Sequence, residues 1–266
     1  MSRTVLVTGV SRYVGGRLAR ALGEDPTIER VIGVDVIPPQ NPLPGVDFVR
    51  ADIRNPVIVK VLGESGVETV VHAGAIATPR QAGSRSTMKE INVIGTMQLL
   101  AACQRAPSVA RLVVKSTAAV YGAGPRDPAQ FSEDTEPSHP PTSGWAKDSV
   151  EVEAYVRGFA RRRPDVSVTT LRLANIVGPG IRTGMTEYLG LRVVPTVLGF
   201  DPRLQFLHED DAVAALHHAV NTGTKGTFNI AGQGTVVLSQ AIRRLKKATV
   251  SVPAFMLPTV GRALGP

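Results

Sequence analysis

The chain opens with Thr4-Val-Leu-Val-Thr-Gly9, a turn to Gly15-Gly16, apolar residues from Leu18 to Leu22 at helical spacing, and then Val31-Ile-Gly-Val-Asp35. A β-branched run that ends at glycine, opens a helix and returns to a second apolar run closed by an acid is the entry unit of a parallel sheet that binds dinucleotides. Gly9 permits a tight turn at the strand end, and Gly15 lets the helix pack closely on the sheet. The free amides of the first helical turn attract a pyrophosphate.

The loop departs from the usual spacing. A further glycine is expected between Gly9 and Gly15, where backbone and phosphate come closest, yet Ser11-Arg12-Tyr13 stands there, followed by Val14. The Arg12 guanidinium can grip a phosphate bidentately and would favour a 2′-phosphorylated cofactor. Asp35 argues the other way, because it is placed to accept from an adenosine ribose and repels that phosphate. NAD and NADP both stay open, as does a loop that has lost its ligand.

At 266 residues and 43% hydrophobic, the chain has the material for one α/β domain with an appendage. Cys103 is its single cysteine, set in the helical pattern Met97-Gln-Leu-Leu-Ala-Ala-Cys-Gln, and reads as a small buried residue rather than a nucleophile. With one cysteine no disulfide forms within the chain, which fits a reducing cytoplasm. No apolar run approaches the ~20 residues that cross a bilayer, so no membrane partner is expected. The net charge of +8 is concentrated most densely at Arg157, Arg161, Arg162 and Arg163. These lie at a helix end, where cations complement the helix dipole, and aromatic residues are too few for a nucleic-acid stacking surface.

Strand-like and helix-like segments then alternate. Phe48-Val49, Val67–His72, Arg111–Lys115 and Val166–Leu173 read as strands, with helices near Val57–Leu62, Thr87–Arg105 and Gly144–Arg161. The alternation predicts a doubly wound parallel sheet covered on both faces. After Gly178-Pro179-Gly180 the segments shorten, which places a dinucleotide-binding domain at residues 1–173 and a small lobe at 174–266. The apolar stretch Val252 to Leu264 either packs on that lobe, forms a homodimer contact, or awaits a further C-terminal piece.

Further segments appear in order: Asp52-Ile53, Val71-His-Ala-Gly-Ala75, Asn92-Val-Ile-Gly-Thr96, Ser116-Thr-Ala-Ala-Val-Tyr-Gly122, Leu171-Arg-Leu-Ala-Asn175-Ile-Val-Gly-Pro179 and Phe206-Leu-His-Glu-Asp-Asp211. Together they resemble the extended short-chain dehydrogenase/reductases of the NAD-dependent epimerase/dehydratase group, over about residues 4 to 240. The resemblance implies a Rossmann fold in which Asp52 and Ile53 flank the adenine. Ala73, Gly74 and Ala75 would line the cofactor, and Asn92 would support the catalytic segment. It further implies that Thr117 bonds the reacting oxygen, Lys147 holds the nicotinamide ribose, and Asn175 faces the substrate, most often a sugar nucleotide.

In that group a tyrosine stands four residues before the lysine, so that both share a helix face and the phenol exchanges a proton with the substrate. Here that position is Ser143, a far weaker acid than a phenol with its ordinary pKa of about 10. Tyr121 reads as structural, Tyr155 lies too far along the helix, and His139 sits in a loop as a solvated residue or a mobile substitute. His72, His208 and His217-His218 lack ligand spacing, so no metal is expected. Glu133, Asp134 and Glu136 read as a solvated turn.

Two functions follow. One is an oxidoreductase or epimerase on a nucleotide-sugar or other small carbonyl or alcohol, its proton carried by Ser143, water or His139. The other is a dinucleotide-binding regulator without turnover.

Overall fold

The computed structural model describes residues 3–77, 82–122, 127–128, 130–136, 139–142, 144–253 and 255. The central strand β1 (Thr4–Thr8) is buried along its whole length, as a parallel strand covered on both faces must be. Beside it lie β2 (Arg30–Asp35) and β3 (Val46–Arg50) on one side, and β4 (Thr69–His72), β5 (Arg111–Thr117) and β6 (Ser167–Leu173) on the other. A seventh strand, Gly226–Ile230, extends the sheet past β6, and every pairing is parallel. The chain reverses its direction of sheet growth between β1 and β4, so the crevice for a ligand opens beyond the carboxyl ends of these two strands.

Side-chain alternation divides the core into two layers. Val5, Val7, Val71 and Val113 meet helix α1 (Tyr13–Gly23), whereas Leu6, Val70, Leu112 and Val114 face α2 (Val57–Glu64) and its neighbours. The helix expected over Thr87–Arg105 is broken into α3 (Arg85–Lys89), a π turn (Glu90–Ile94) and α4 (Gly95–Arg105). The wider π turn brings buried Asn92 against the chain leaving β4. Helix α5 (Gly144–Arg162) follows β5 and completes this layer.

Beyond residue 174 the chain is only partly a separate lobe. Three two-stranded sheets form there: β7 (Asn175–Val177) with β10 (Phe206–His208), β9 (Arg203–Leu204) with β12 (Val236–Val237), and β8 (Val193–Val197) with β13 (Ala248–Val252). With helix α6 (Gly184–Gly190) they enclose a small core of Leu189, Val194, Leu238 and Ile242. Between them, α7 (Glu209–Thr222) and β11 (Gly226–Ile230) return to the main body. Ala212, Leu216, Ala219 and Val220 bury in the α1 layer, and Phe228 registers opposite Leu171 of β6. The lobe is therefore interleaved with the main sheet, because one strand and one helix from it complete the larger core. Among the described residues no helix is long and apolar enough to cross a membrane. Nearly all of the apolar stretch after Val252 lies outside the described residues.

Candidate active site

The loop after β1 is built as the glycines require. Gly9 has φ 78° and its amide bonds the Val34 carbonyl at 2.8 Å. A Cβ there would lie 2.3 Å from the Gly74 Cα, and one on Gly15 would lie 2.2 Å from the Gly9 oxygen. Both positions are closed to any other residue. Arg12 has φ −94°, an ordinary extended backbone, so the loop turns without a glycine there. What a glycine would add at residue 12 is empty space beside the backbone. Helix α1 then begins at Tyr13 with no side-chain cap, leaving its first amides open to a ligand. Asp35 holds the same loop from the end of β2: one carboxylate oxygen accepts the Ser11 amide at 3.0 Å, the other the Val36 amide at 2.8 Å.

In front of this loop lies a cleft of about 590 Å³, the size of a small-molecule site. Ser11, Arg12, Tyr13, Val14 and Gly15 form one wall, Ala73 and Ala75 the floor at β4, and Thr117 and Asn175 the side toward β5 and the lobe. These nine residues were expected at a site, and the fold brings them together. Gly9 and Gly74 pack on one another beneath it. The Thr117 hydroxyl accepts the Ala119 amide at 3.1 Å, which leaves its proton to donate into the cleft.

Other expected residues lie elsewhere. Asp52 is paired with Arg54 at 2.6 Å, its pKa lowered chiefly by those hydrogen bonds. Ile53 packs where Gly95 leaves room. Asn92 bonds both the amide and the carbonyl of Ile76, at 2.7 and 2.8 Å, and so fixes the segment that carries Ala75. Lys147 is exposed and is not among the cleft residues; Trp145 of the same turn is. The turn is anchored by Arg85, which grips buried Asp148 through both carboxylate oxygens at 2.7 and 2.6 Å. Ser143 lies outside the described residues.

The residue that sequence reading passed over is Lys115. Strand alternation puts it on the same face of β5 as Thr117, two residues on, and that spacing was the available signal. It lines the cleft, and burial together with the Arg12 charge pushes its ammonium pKa down to about 8. Arg182 lines the cleft as well. A second unforeseen contact crosses the cleft's edge: the Tyr13 hydroxyl donates to Glu209 at 2.6 Å, and Glu209 in turn accepts the amides of Gly180 and Ile181 at 3.1 and 2.8 Å.

Behind Thr117 a polar network is sealed in the core. Ser116 donates to Glu153 at 2.6 Å, and Arg172 pairs with the same carboxylate at 2.7 Å. Tyr121 accepts from Arg172 at 2.8 Å and donates to Asn229 at 2.8 Å, so its hydroxyl is engaged in this network. Burial works against the Arg172 charge, but its bonds to Glu153 and Tyr121 outweigh that and hold it firmly protonated. Glu133 is part of the frame rather than a free turn, since it accepts the Asn229 amide at 2.8 Å. His139 and Tyr155 are exposed, His72 is buried between Thr8 and Thr96, and His208 accepts the Asp210 amide at 3.2 Å. Among the described residues no group of side chains could hold a metal ion.

The family model described as the NAD dependent epimerase/dehydratase family matches residues 5–231. An uncharacterized protein of Mycobacterium tuberculosis (strain ATCC 25618 / H37Rv) is 50% identical over 257 residues, which are 95% of this chain and 68% of that one. The human short-chain dehydrogenase/reductase family 42E member 1 is 30% identical over 226 residues, 80% of this chain and 56% of that one. Among solved structures, MoeE5 in complex with UDP-glucose and NAD superposes with a TM-score of 0.76 at 27% identity, covering 94% of this chain and 85% of that one.

Proposed function

Because the chain belongs to the NAD dependent epimerase/dehydratase family, we propose that it is an NAD(P)-dependent oxidoreductase or epimerase acting on a nucleotide-linked sugar or a similar small alcohol or carbonyl. The family is one of enzymes. The observation that carries the reading is one cleft holding both the Gly9–Gly15 loop and the Thr117 hydroxyl. The glycine loop fits a dinucleotide, since its close contacts exclude any Cβ and its helix start leaves amides free. Ser11 to Gly15 would hold the diphosphate, Asp35 would stand at the adenosine end, and Ala73 and Ala75 would lie beneath. MoeE5, with its bound UDP-glucose and NAD, supports both the cofactor and the substrate class.

A bound nicotinamide supplies a hydride acceptor and donor. The protein must position a substrate oxygen and manage its proton. Thr117 donates to that oxygen, and Asn175 at the lobe-side wall orients the substrate. With serine at position 143 no phenol shares the helix face with Lys147, so the proton passes through water in the cleft. Turnover is then slower by about the hundred- to ten-thousand-fold that a positioned acid–base group contributes.

The exposed Lys147 favours a second reading, a dinucleotide-binding protein without turnover. Ser143→Tyr separates the two. With NAD⁺ and a panel of UDP- and TDP-sugars, a rise in cofactor reduction or epimer formation supports the enzyme. A flat response across the panel, with cofactor binding intact, supports the regulator.

A further inference from the structure

We propose that Arg12 and Lys115 together form a two-cation seat for a diphosphate group, so that in this chain side-chain charge replaces the close backbone approach that a glycine at residue 12 would allow. The inference rests on reading the cleft as a nucleotide site. Both side chains line it, Arg12 from the loop after β1 and Lys115 from the face of β5 that also presents Thr117, and the Arg12 charge acts on Lys115.

Neither side chain has a hydrogen bond or an ion pair within the described residues. Arg17, Arg54, Arg85, Arg163 and Arg172 all do, each on a carboxylate. Among the described residues no aspartate or glutamate lines the cleft, whereas Arg182 adds a third cation to its lining. Asp35 acts on Arg12 through its field, with its oxygens on the Ser11 and Val36 amides. The Arg12 charge opposes that of Lys115, on which no carboxylate acts, and burial disfavours both. A ligand with two adjacent anionic groups removes both penalties, and a guanidinium beside an ammonium matches a diphosphate.

Ligand binding is therefore coupled to a proton. The charged group acting on Lys115 is Arg12 from the loop, with Arg182 elsewhere on the cleft lining and His72 on β4 held neutral. An incoming dianion reverses their balance and restores the proton to the Lys115 amine. Above pH 8 the complex takes up a proton that the free protein lacks.

The test is calorimetric titration of the full chain with ADP, UDP, inorganic pyrophosphate and adenosine at pH 8.5, in two buffers of different ionisation enthalpy. Wild type is expected to bind the diphosphates with proton uptake. Lys115→Met and Arg12→Met are each expected to weaken ADP and pyrophosphate by about 10- to 100-fold while leaving adenosine unchanged. Lys115→Arg keeps the affinity and loses the proton uptake, and it stands in if Lys115→Met fails to fold. Tighter ADP assigns the seat to the dinucleotide; tighter UDP assigns it to a nucleotide-linked substrate. Variants that bind all three diphosphates like wild type overturn the seat, even where NAD-dependent turnover proves the enzyme reading right. A Lys115-dependent ADP site without turnover sustains the seat and sinks that reading.

Discussion

Replacing Glu153 by leucine isolates the polar network behind the cleft. The Glu153 carboxylate is 5% exposed and accepts from Ser116 at 2.6 Å and from Arg172, itself 12% exposed, at 2.7 Å. Removing one member of such a buried pair costs about 3–5 kcal/mol, because the other charge stays buried without compensation. Arg172 keeps the Tyr121 hydroxyl, the Glu133 carbonyl and the Tyr121 ring face at 4.8 Å, which argues for the lower end. At about 2–4 °C per kcal/mol for a chain of this size, Glu153→Leu should lower Tm by about 6–12 °C. Adding Arg172→Met should recover most of the loss, since an apolar pair of similar volume is often as stable as the ionic one. The control is Arg30–Asp47, a 2.7 Å pair that is half exposed on both sides. Breaking it should change stability by less than about 1 kcal/mol. Circular-dichroism melts of the single, double and control variants decide the matter. A Tm loss under about 2 °C for Glu153→Leu, or additive losses in the double variant, would refute the argument.

Gly15→Ala should abolish dinucleotide binding, because its Cβ would sit 2.2 Å from the Gly9 oxygen; NADH fluorescence titration reads the loss. Cys103, buried with its thiol pushed up to about 12, should react with a thiol reagent only after unfolding, and labelling of native protein would contradict its placement. His72 makes stability pH-dependent with a defined sign. Burial first, and the Lys115 charge second, lower its pKa from 6.5 to about 4, so the unfolded chain binds the proton more readily. This contribution is complete above about pH 6.5 and declines by about 3 kcal/mol as pH falls to 4. Urea melts at pH 7 and 4.5 should show that decline in wild type and a shallower one in His72→Gln.

Local pattern exposed the entry unit well. Gly15, which closes on the Gly9 oxygen, and the strands around it follow from contacts and apolar runs within a few residues, which neighbouring positions reveal. The supporting role of Asn92 came from the family resemblance alone, since nothing beside it in the chain points to Ile76. Long-range contacts were not legible. Nothing near Phe228 says that it will register against Leu171, and so α7 and β11 were assigned to the lobe. Lys115 looked like one polar residue in a strand until Arg12, about a hundred residues earlier, was folded in front of it. Lys147 was placed by its family spacing alone, whereas its neighbour Asp148 is held by Arg85, a contact between distant segments that no local pattern reveals.

The bond from Tyr13 to Glu209, with Glu209 also holding Gly180 and Ile181, joins the first turn of α1 to the backbone that opens the lobe. The two halves of the cleft thus share a tie beam. A guest that displaces the first turn pulls on the 180–181 backbone, and a guest seated against the lobe steadies the turn. Thermodynamic reciprocity then requires that whatever the first guest does to the affinity of the second, the second does equally to the first. Cutting the beam with Tyr13→Phe should reduce that mutual effect while leaving each guest able to bind alone.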